Sequence, residues 1–362
     1  MKKILYIVST LKRTGPSSQL SYIIKYLDSS KFEPYILALS PEPKDSLWKV
    51  FEDLGVNLYS LNLSRVQGVF LAKKRVLKYI NRIQPDIIHT QGVRADSVLS
   101  SLSINTPWLL TCRNYPFEGQ VLERGKLIGN LFAKQHINAM RKCKNVVACA
   151  KNIAERLQKH NVNAIAIQNG SEFEEQEGEN TLELQCDRPI FITAAHLSKL
   201  KNNTIVIEAF NKYFDNGGKG SLIMLGDGKE RQMLQDLSKH DKNIIFLGNV
   251  NNVLDYFEQS DFFLSASLSE GLPNSVLEAL FSGLPVLLSD IPAHKEIACE
   301  VPEASRLFPL NQGADILTNL IKEIDNIFPK NVTQIAKETV KEKFSALRTS
   351  QNYQNFYLKI TQ

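Results

Sequence analysis

Short apolar runs alternate with amphipathic segments along this chain, and no other feature constrains the fold as much. The first run, residues 3–9, is rich in β-branched side chains and is followed by a turn at Gly15-Pro16 and a helix-like stretch at 19–27. Similar runs occur at 35–39, 86–89, 108–111 and 145–149, with amphipathic segments such as 76–83 and 153–157 between them. This rhythm predicts a parallel sheet flanked by helices.

An acidic, apolar-poor stretch at residues 169–187 interrupts the alternation, and its composition is typical of a solvated linker. Strand-like runs then resume at 190–194, 221–225, 243–247, 262–266 and 285–288. Because about 100 to 200 residues is common for one domain, the 362 residues predict two α/β domains, at 1–168 and 188–343.

The composition gives no sign of a membrane span, a disulfide framework or a metal centre. No run reaches the roughly 18 apolar residues that a spanning helix needs, and the apolar run after Lys3 is too short for a signal peptide. The cysteines are odd in number and lack the short paired spacing of zinc or redox sites. We therefore expect a cytoplasmic protein with no metal and no other cofactor, whose thiols are reduced and buried. They are Cys112, Cys143, Cys149, Cys186 and Cys299.

Charge is divided unequally between the two halves of the chain. Residues 1–168 carry 25 Lys and Arg against 11 Asp and Glu, whereas residues 169–362 carry 18 against 27. A basic first half indicates an anionic partner, either a membrane surface, a phosphorylated acceptor or nucleic acid, and a merely solvated surface is the alternative. No nucleic-acid motif is present. Residues 71–82 and 124–144 combine basic and apolar side chains, which would suit an anionic leaflet or a lipid-linked acceptor, although other amphipathic helices look similar.

The segment 265–280 carries the features of a phosphate site. It follows an apolar strand and enters a helix that Pro273 is predicted to start and Gly283 to end. A helix N-terminus offers unpaired N–H groups and a partial positive charge, so this loop can receive a diphosphate. Gly271 would let the backbone approach it closely.

Two glutamates eight residues apart, Glu270 and Glu278, complete this segment. A carboxylate accepts hydrogen bonds from hydroxyl groups, so Glu270 suits a sugar and Glu278 a ribose diol. The alternative is an acidic residue near a helix start and a solvated helix position. The whole segment resembles the E-x7-E signature of the family 4 glycosyltransferases, and the similarity continues through residues 280–290. The resemblance implies a GT-B fold, with two Rossmann-like domains facing across a cleft and a C-terminal helix, 344–362, returning to the first.

Further motifs follow in the order that this family has. In residues 195–202, Lys201 stands where the family holds the donor diphosphate, and His196 replaces the usual Arg. An imidazole offers fewer donors than a guanidinium and no permanent charge, so the clamp would be weaker. The resemblance implies that Lys201, Glu270 and His196 act in catalysis. The donor-binding residues that it implies are Gly15, Gly226, Val250, Gly271, Leu272, Pro273, Asn274, Ser275 and Glu278.

The first domain resembles the family less closely. Its 13–19 loop stands where the family commonly has two glycines, and Asn169-Gly170 resembles the hinge between domains. His89 ends a strand and is either a structural residue or a base on the acceptor side. Arg113 occupies a position where many members have histidine, and it is expected on the acceptor side as well.

The resemblance implies a retaining transferase that moves a hexose or N-acetylhexosamine from a nucleotide diphosphate sugar, by family habit a UDP-sugar. The acceptor would be a saccharide, lipid-linked or free, in bacterial surface glycan synthesis at the inner face of the plasma membrane. No Asp-x-Asp pair is present, so we expect activity without a metal. The alternatives are a sugar-nucleotide epimerase of the same fold and a non-enzymic polyanion-binding protein.

Overall fold

The computed structural model describes residues 1–173, 182–240, 242–329 and 332–362. The chain divides into two compact units: unit 1 comprises Met1–Glu172 and Ala346–Gln362, and unit 2 comprises Phe173–Ser345. The predicted linker at 169–187 includes residues 174–181, which lie outside the described residues. Both units are α/β with a parallel sheet, as predicted.

Unit 1 contains a seven-stranded parallel sheet in the order β3-β2-β1-β4-β5-β6-β7. Its strands are β1 (Lys2–Val8), β2 (Phe32–Ala38), β3 (Asn57–Ser60), β4 (Ile87–Gln91), β5 (Trp108–Cys112), β6 (Asn145–Ala148) and β7 (Ala164–Ala166). The helices between them are α1 (Gly15–Lys25), α2 (Trp48–Asp53), α3 (Arg65–Ile83), α4 (Val93–Leu99), α5 (Pro116–Arg124), α6 (Lys126–Lys142) and α7 (Lys151–Gln158).

Unit 2 contains a six-stranded parallel sheet in the order β10-β9-β8-β11-β12-β13. Its strands are β8 (Ile190–Ala194), β9 (Ser221–Leu225), β10 (Ile244–Gly248), β11 (Phe262–Ser265), β12 (Val286–Ser289) and β13 (Ser305–Phe308). Its helices are α8 (Asn203–Asp215), α9 (Arg231–Leu237), α10 (Val253–Glu258), α11 (Asn274–Phe281), α12 (Pro292–Ala298), α13 (Gly313–Lys322), α14 (Ile324–Ile327) and α15 (Val332–Lys343). The last helix of the chain, α16 (Ala346–Ile360), belongs to unit 1.

The core of unit 1 lies on both faces of its sheet, because side chains alternate along each strand. Ile4 and Tyr6 of β1 pack in one cluster, with residues of α1, α2 and α16, and Leu5 and Ile7 pack in another, with residues of α3 and α4. The return of the C-terminal helix to the first domain is therefore confirmed. Its Tyr357 is fully buried in the first cluster.

Two helices begin earlier than the segments identified in the sequence. Helix α1 begins at Gly15 rather than at residue 19, because Pro16 occupies its first turn, where a missing N–H costs nothing. Helix α3 begins eleven residues before the amphipathic segment at 76–83, at a capping box in which the side chains of Ser64 and Gln67 bond to each other's backbone N–H.

Two further predictions need correction. Pro273 takes the N-cap position of α11, with an extended backbone, so it precedes the helix instead of starting it. Cys299 is exposed and Cys186 is partly exposed, whereas the other three cysteines are buried as expected. Cys299 follows the last residue of the short helix α12, and Cys186 precedes β8 in a polar stretch, so neither faces a core. None of the helices in the described part of the chain has the length and apolar composition needed to cross a lipid bilayer.

Candidate active site

The predicted catalytic residues of unit 2, together with Gly226 and Val250, lie in loops at the carboxyl ends of its strands. His196 and Lys201 follow β8, Gly226 follows β9, Val250 follows β10 and Glu270 follows β11. Because all six strands are parallel, these loops share one edge of the sheet.

The strand order reverses at this edge, between β8 and β11. From β8 the chain builds outward to β9 and β10, and from β11 it builds in the opposite direction to β12 and β13. Ligands of open α/β sheets bind at such a reversal, outside the carboxyl ends of the strands. The loops after β8 and β11 are joined here, since the N–H of Leu268 donates to the carbonyl oxygen of Leu200 at 2.8 Å.

An ion pair between Lys201 and Glu270 joins the same two loops. The Lys201 Nζ donates to Glu270 Oε1 at 2.5 Å, and the side chains are only 21% and 11% exposed. The Ser267 hydroxyl donates to the same oxygen at 2.7 Å. Burial alone would raise the pKa of Glu270, but the Lys201 ammonium and the Ser267 hydroxyl outweigh it, and the pKa lies below its usual range. Glu270 is therefore an ionised carboxylate held in a fixed position.

A buried histidine, His294 of α12, contacts the ends of the two strands next to this loop, β11 and β12. The sequence analysis missed it. Its Nδ1 lies 2.9 Å from the Ser289 carbonyl oxygen, and its Nε2 lies 3.4 Å from the Ser265 hydroxyl. The Ser265 hydroxyl in turn lies 3.3 Å from that of Ser267, which binds Glu270. Apolar residues three and four positions after His294, Ile297 and Ala298, could have indicated that His294 lies on the buried face of this helix.

Acidification should weaken unit 2 through His294. Burial, together with Lys201, lowers the pKa of His294 from 6.5 to about 4, against an opposing effect of Glu270. Since the unfolded chain binds the proton first as the pH falls, stability is complete above pH 6.5 and is lost on the way down to about pH 4. A difference of this size corresponds to about 3 kcal/mol. We expect urea unfolding of His294→Gln, followed by far-ultraviolet circular dichroism, to depend correspondingly less on pH. Equal pH slopes for the wild type and this variant would contradict the assignment.

Gly226 is required by the packing of two loops. Its N–H donates to the Gly248 carbonyl oxygen at 2.7 Å, and its φ is +117°. A Cβ at this position would lie 1.9 Å from the carbonyl oxygen of Ala195, in the loop after β8. The close approach of the loops after β8 and β9 therefore accounts for this glycine without a ligand.

Helix α11 begins beside Glu270 and carries the second glutamate. Asn274 and Ser275 form its half-buried first turn, and Glu278 is half-buried one turn later. Residues four apart lie on the same side of a helix, so Asn274 and Glu278 share a face. Pro273 at the N-cap has no side-chain acceptor to offer to the first turn. Gly271 and Leu272, in the loop before the helix, are buried.

Three of the predicted residues belong to unit 1. Gly15 is exposed at the first position of α1. Arg113 follows β5 and is partly buried, and its guanidinium donates to the side-chain oxygens of Gln91, at 2.9 and 3.2 Å, and of Asn169, at 2.8 Å. Both partners are neutral amides, so they position the positive charge of Arg113 without neutralising it.

His89 lies inside the core of unit 1 and is fully buried. Its Nδ1 lies 2.8 Å from the Tyr357 hydroxyl, and its Nε2 lies 2.8 Å from the Thr111 hydroxyl. Burial, with a contribution from Arg113, holds the pKa of His89 well below its ordinary value. These contacts favour the structural role over the role of a base. Among the residues that the structure describes, no three His, Cys, Asp or Glu side chains are grouped so as to hold a metal ion.

Two relatives illustrate the similarity of this chain to known proteins. The O-antigen biosynthesis glycosyltransferase WclY of Escherichia coli is 24% identical over 369 residues, which cover 98% of both chains. An uncharacterized glycosyltransferase of Methanocaldococcus jannaschii is 26% identical over 266 residues, which cover 62% of this chain and 61% of that protein.

Solved structures share the fold over the full length. The sucrose-phosphate synthase of Thermosynechococcus elongatus superposes with a TM-score of 0.81, at 15% identity and 99% coverage of both chains. Anabaena HepE in complex with UDP-glucose superposes with a TM-score of 0.78, at 15% identity, over 99% of this chain and 100% of that one.

Two family models match different parts of the sequence. Residues 14–174 match the model described as Glycosyltransferase Family 4, and residues 188–326 match the model described as Glycosyl transferases group 1. Between them the two models cover most of the chain, in the order that the two α/β units have. The chain is therefore a family 4 glycosyltransferase with the GT-B fold.

Proposed function

We propose that this enzyme transfers a hexose or N-acetylhexosamine, with retention, from a UDP-sugar to a lipid-linked saccharide at the cytoplasmic face of the membrane. The observation that carries the proposal is the Lys201–Glu270 ion pair at the strand reversal of unit 2. The similarity to an O-antigen glycosyltransferase supports a role in bacterial surface glycan synthesis. The structural similarity to a protein that binds UDP-glucose supports a uridine donor.

Lys201 is suited to the diphosphate of the donor. An ammonium group has three N–H donors, and the bond to Glu270 uses one of them, so the others can be directed at phosphate oxygens. The ion pair holds the flexible lysine side chain in one position before the donor arrives. The N-terminus of α11 adds a partial positive charge in the next loop.

The two glutamates are suited to hydroxyl groups. The bonds from Lys201 and Ser267 both end on Oε1 of Glu270, so Oε2 can accept a hydrogen bond from the transferred sugar. Glu278 lies one helical turn after Asn274 and can accept the two ribose hydroxyls. Gly271 to Ser275 form the backbone between these carboxylates and would bind the phosphates. Gly226 and Val250 border the same edge, on the side of the base.

The reaction requires charge stabilisation more than an enzymic nucleophile. As the bond between the sugar and the diphosphate breaks, negative charge grows on the leaving phosphate, and Lys201 stabilises it there. The acceptor hydroxyl attacks from the face that the diphosphate leaves and gives its proton to the departing phosphate oxygen, so the anomeric configuration is retained. His196 is exposed near the start of the loop after β8 and offers one further donor to the phosphate.

Acceptor binding is assigned to unit 1, where Arg113 lies at the carboxyl end of β5. Amide partners leave the guanidinium of Arg113 its full charge, which suits a phosphate of the lipid carrier. We do not include His89 in this site, because both of its ring nitrogens are bonded within the core.

Glu278→Ala should weaken donor binding. Losing two charge-assisted hydrogen bonds, at about 1.5 kcal/mol or more each, should lower kcat/KM for the UDP-sugar about 100-fold or more, chiefly through KM. UDP should raise the Tm of the wild type, as a ligand does when it binds the native state alone, and this rise should disappear in the variant. Glu303→Ala is the matched control, since Glu303 is exposed and precedes the amino end of β13, at the opposite edge of the sheet.

The same assays test the rest of the proposal. GDP and ADP should raise the Tm less than UDP, and turnover in the presence of a chelator should equal turnover without it. A donor incubated alone should not be epimerised. Undiminished turnover by Glu278→Ala would contradict the role of α11, and a requirement for manganese would contradict the metal-free reaction.

A further inference from the structure

Helix α3 exposes large apolar side chains on its first two turns. Val66, Val69 and Phe70 are 72%, 74% and 77% exposed, although residues of this type are usually buried. Further along the same helix, Ala72 and Val76 pack in the core of unit 1. The exposed apolar side chains of α3 therefore do not contribute to the core of unit 1.

Helix α6 repeats this arrangement near its own N-terminus. Leu127, Ile128 and Leu131 are 90%, 56% and 66% exposed, while Ala133 and Ile137 are buried. Side chains at these spacings form one face of a helix.

Helix α4 lies beside both of these helices. The guanidinium of Arg94 donates to the Ser64 carbonyl oxygen at the start of α3, and the Gln135 amide of α6 donates to the Ser97 hydroxyl. The acidic residue of α4, Asp96, is fully buried and lies 2.8 Å from the ring of His136 of α6. Helix α4 thus links α3 to α6 without placing a negative charge on the surface between them.

The charge of the two helices is entirely positive. Helix α3 carries six basic residues and α6 carries four, all exposed, and neither helix contains Asp or Glu. They are Arg65, Lys73, Lys74, Arg75, Lys78, Arg82, Lys126, Lys134, Arg141 and Lys142.

We propose that the exposed faces of α3 and α6 form one docking surface for an anionic lipid leaflet. A polyanion such as nucleic acid would attract the basic residues but would leave Phe70 and Leu127 in water. An anionic bilayer offers both partners, since headgroups attract Lys and Arg while apolar side chains enter the boundary of the acyl chains. The docking does not depend on the proposed function, but it would bring unit 1 to the place where a lipid-linked acceptor is held.

Flotation with lipid vesicles tests the docking surface in the full-length protein, independently of transfer. Vesicles of phosphatidylcholine with an equal part of phosphatidylglycerol should bind the wild type about tenfold or more tightly than phosphatidylcholine alone, and high salt should weaken this binding. Phe70→Ser/Leu127→Ser/Leu131→Ser should reduce the binding about tenfold or more. Lys73→Gln/Lys74→Gln/Lys126→Gln/Lys134→Gln should abolish the preference for anionic vesicles.

The matched control is Val50→Ser/Met233→Ser/Leu347→Ser, whose exposed apolar side chains lie on α2, α9 and α16. It should bind like the wild type, and all variants should keep the Tm and the turnover with a water-soluble acceptor. Failure of the wild type to bind anionic vesicles would overturn the proposal even if transfer is intact. Equal losses of vesicle binding in the Phe70/Leu127/Leu131 variant and in the control variant would also overturn it. The same holds if the Phe70/Leu127/Leu131 variant only converts a dimer into a monomer.

Discussion

Replacing Lys201 with methionine should lower kcat about 1,000-fold, as expected when one preorganised donor to a developing negative charge is removed. Methionine has a similar length but no charge, so the loop after β8 loses the ammonium without losing much volume. Lys199→Met is the matched control, because Lys199 is exposed in the same loop. A kcat of Lys201→Met near that of the wild type would exclude Lys201 from the chemical step.

Stability separates the catalytic role of Lys201 from its structural one. Lys201→Met leaves the carboxylate of Glu270 buried without its cation, which should cost about 3 kcal/mol of unfolding free energy. In Lys201→Met/Glu270→Gln no charge remains unpaired, so most of this stability should return. Activity should not return with it, because the charge on the leaving phosphate still lacks its partner. Recovery of both quantities in the double variant would mean that the pair only holds the loops together.

The central strands of both sheets could be predicted because they are buried on both faces and read as unbroken apolar runs. The runs at 190–194 and 221–225 coincide with β8 and β9. The three strands that the sequence analysis missed, β3, β7 and β13, all lie at sheet edges. Edge strands carry exposed and polar side chains, so their periodicity is weak, and only pairing with a neighbour defines them.

For the candidate site, the residues could be predicted from the sequence but their contacts could not. The sequence indicated both Lys201 and Glu270, but it did not predict that they form an ion pair, because 69 residues separate them. Their contact follows from the adjacency of β8 and β11, which is a property of the whole sheet. His294 was missed for a related reason: its partners, Ser265 and Ser289, belong to two different strands. Residue types alone indicated the chemistry of the site, and strand order determined which side chains meet.

Tyr357→Ala should destabilise unit 1 by about 4 kcal/mol, the range found when a buried aromatic ring is removed. Tyr357 of α16 is fully buried, and its hydroxyl lies 3.2 Å from that of Tyr6 and 2.8 Å from Nδ1 of His89, so the substitution leaves a cavity and two buried polar groups without this partner. Tyr357→Phe keeps the ring and should lose only about 1 to 3 kcal/mol. Leu347→Ala, at an exposed position of the same helix, should change little.

Both tryptophans of the chain lie in unit 1, so urea unfolding followed by tryptophan fluorescence measures this unit directly. If Tyr357→Ala unfolds at the same urea concentration as Leu347→Ala, the C-terminal helix is a passive addition to unit 1. A large difference means that the first domain depends on the end of the chain for its core, because Tyr357 completes a cluster that begins with Ile4 and Tyr6 of β1.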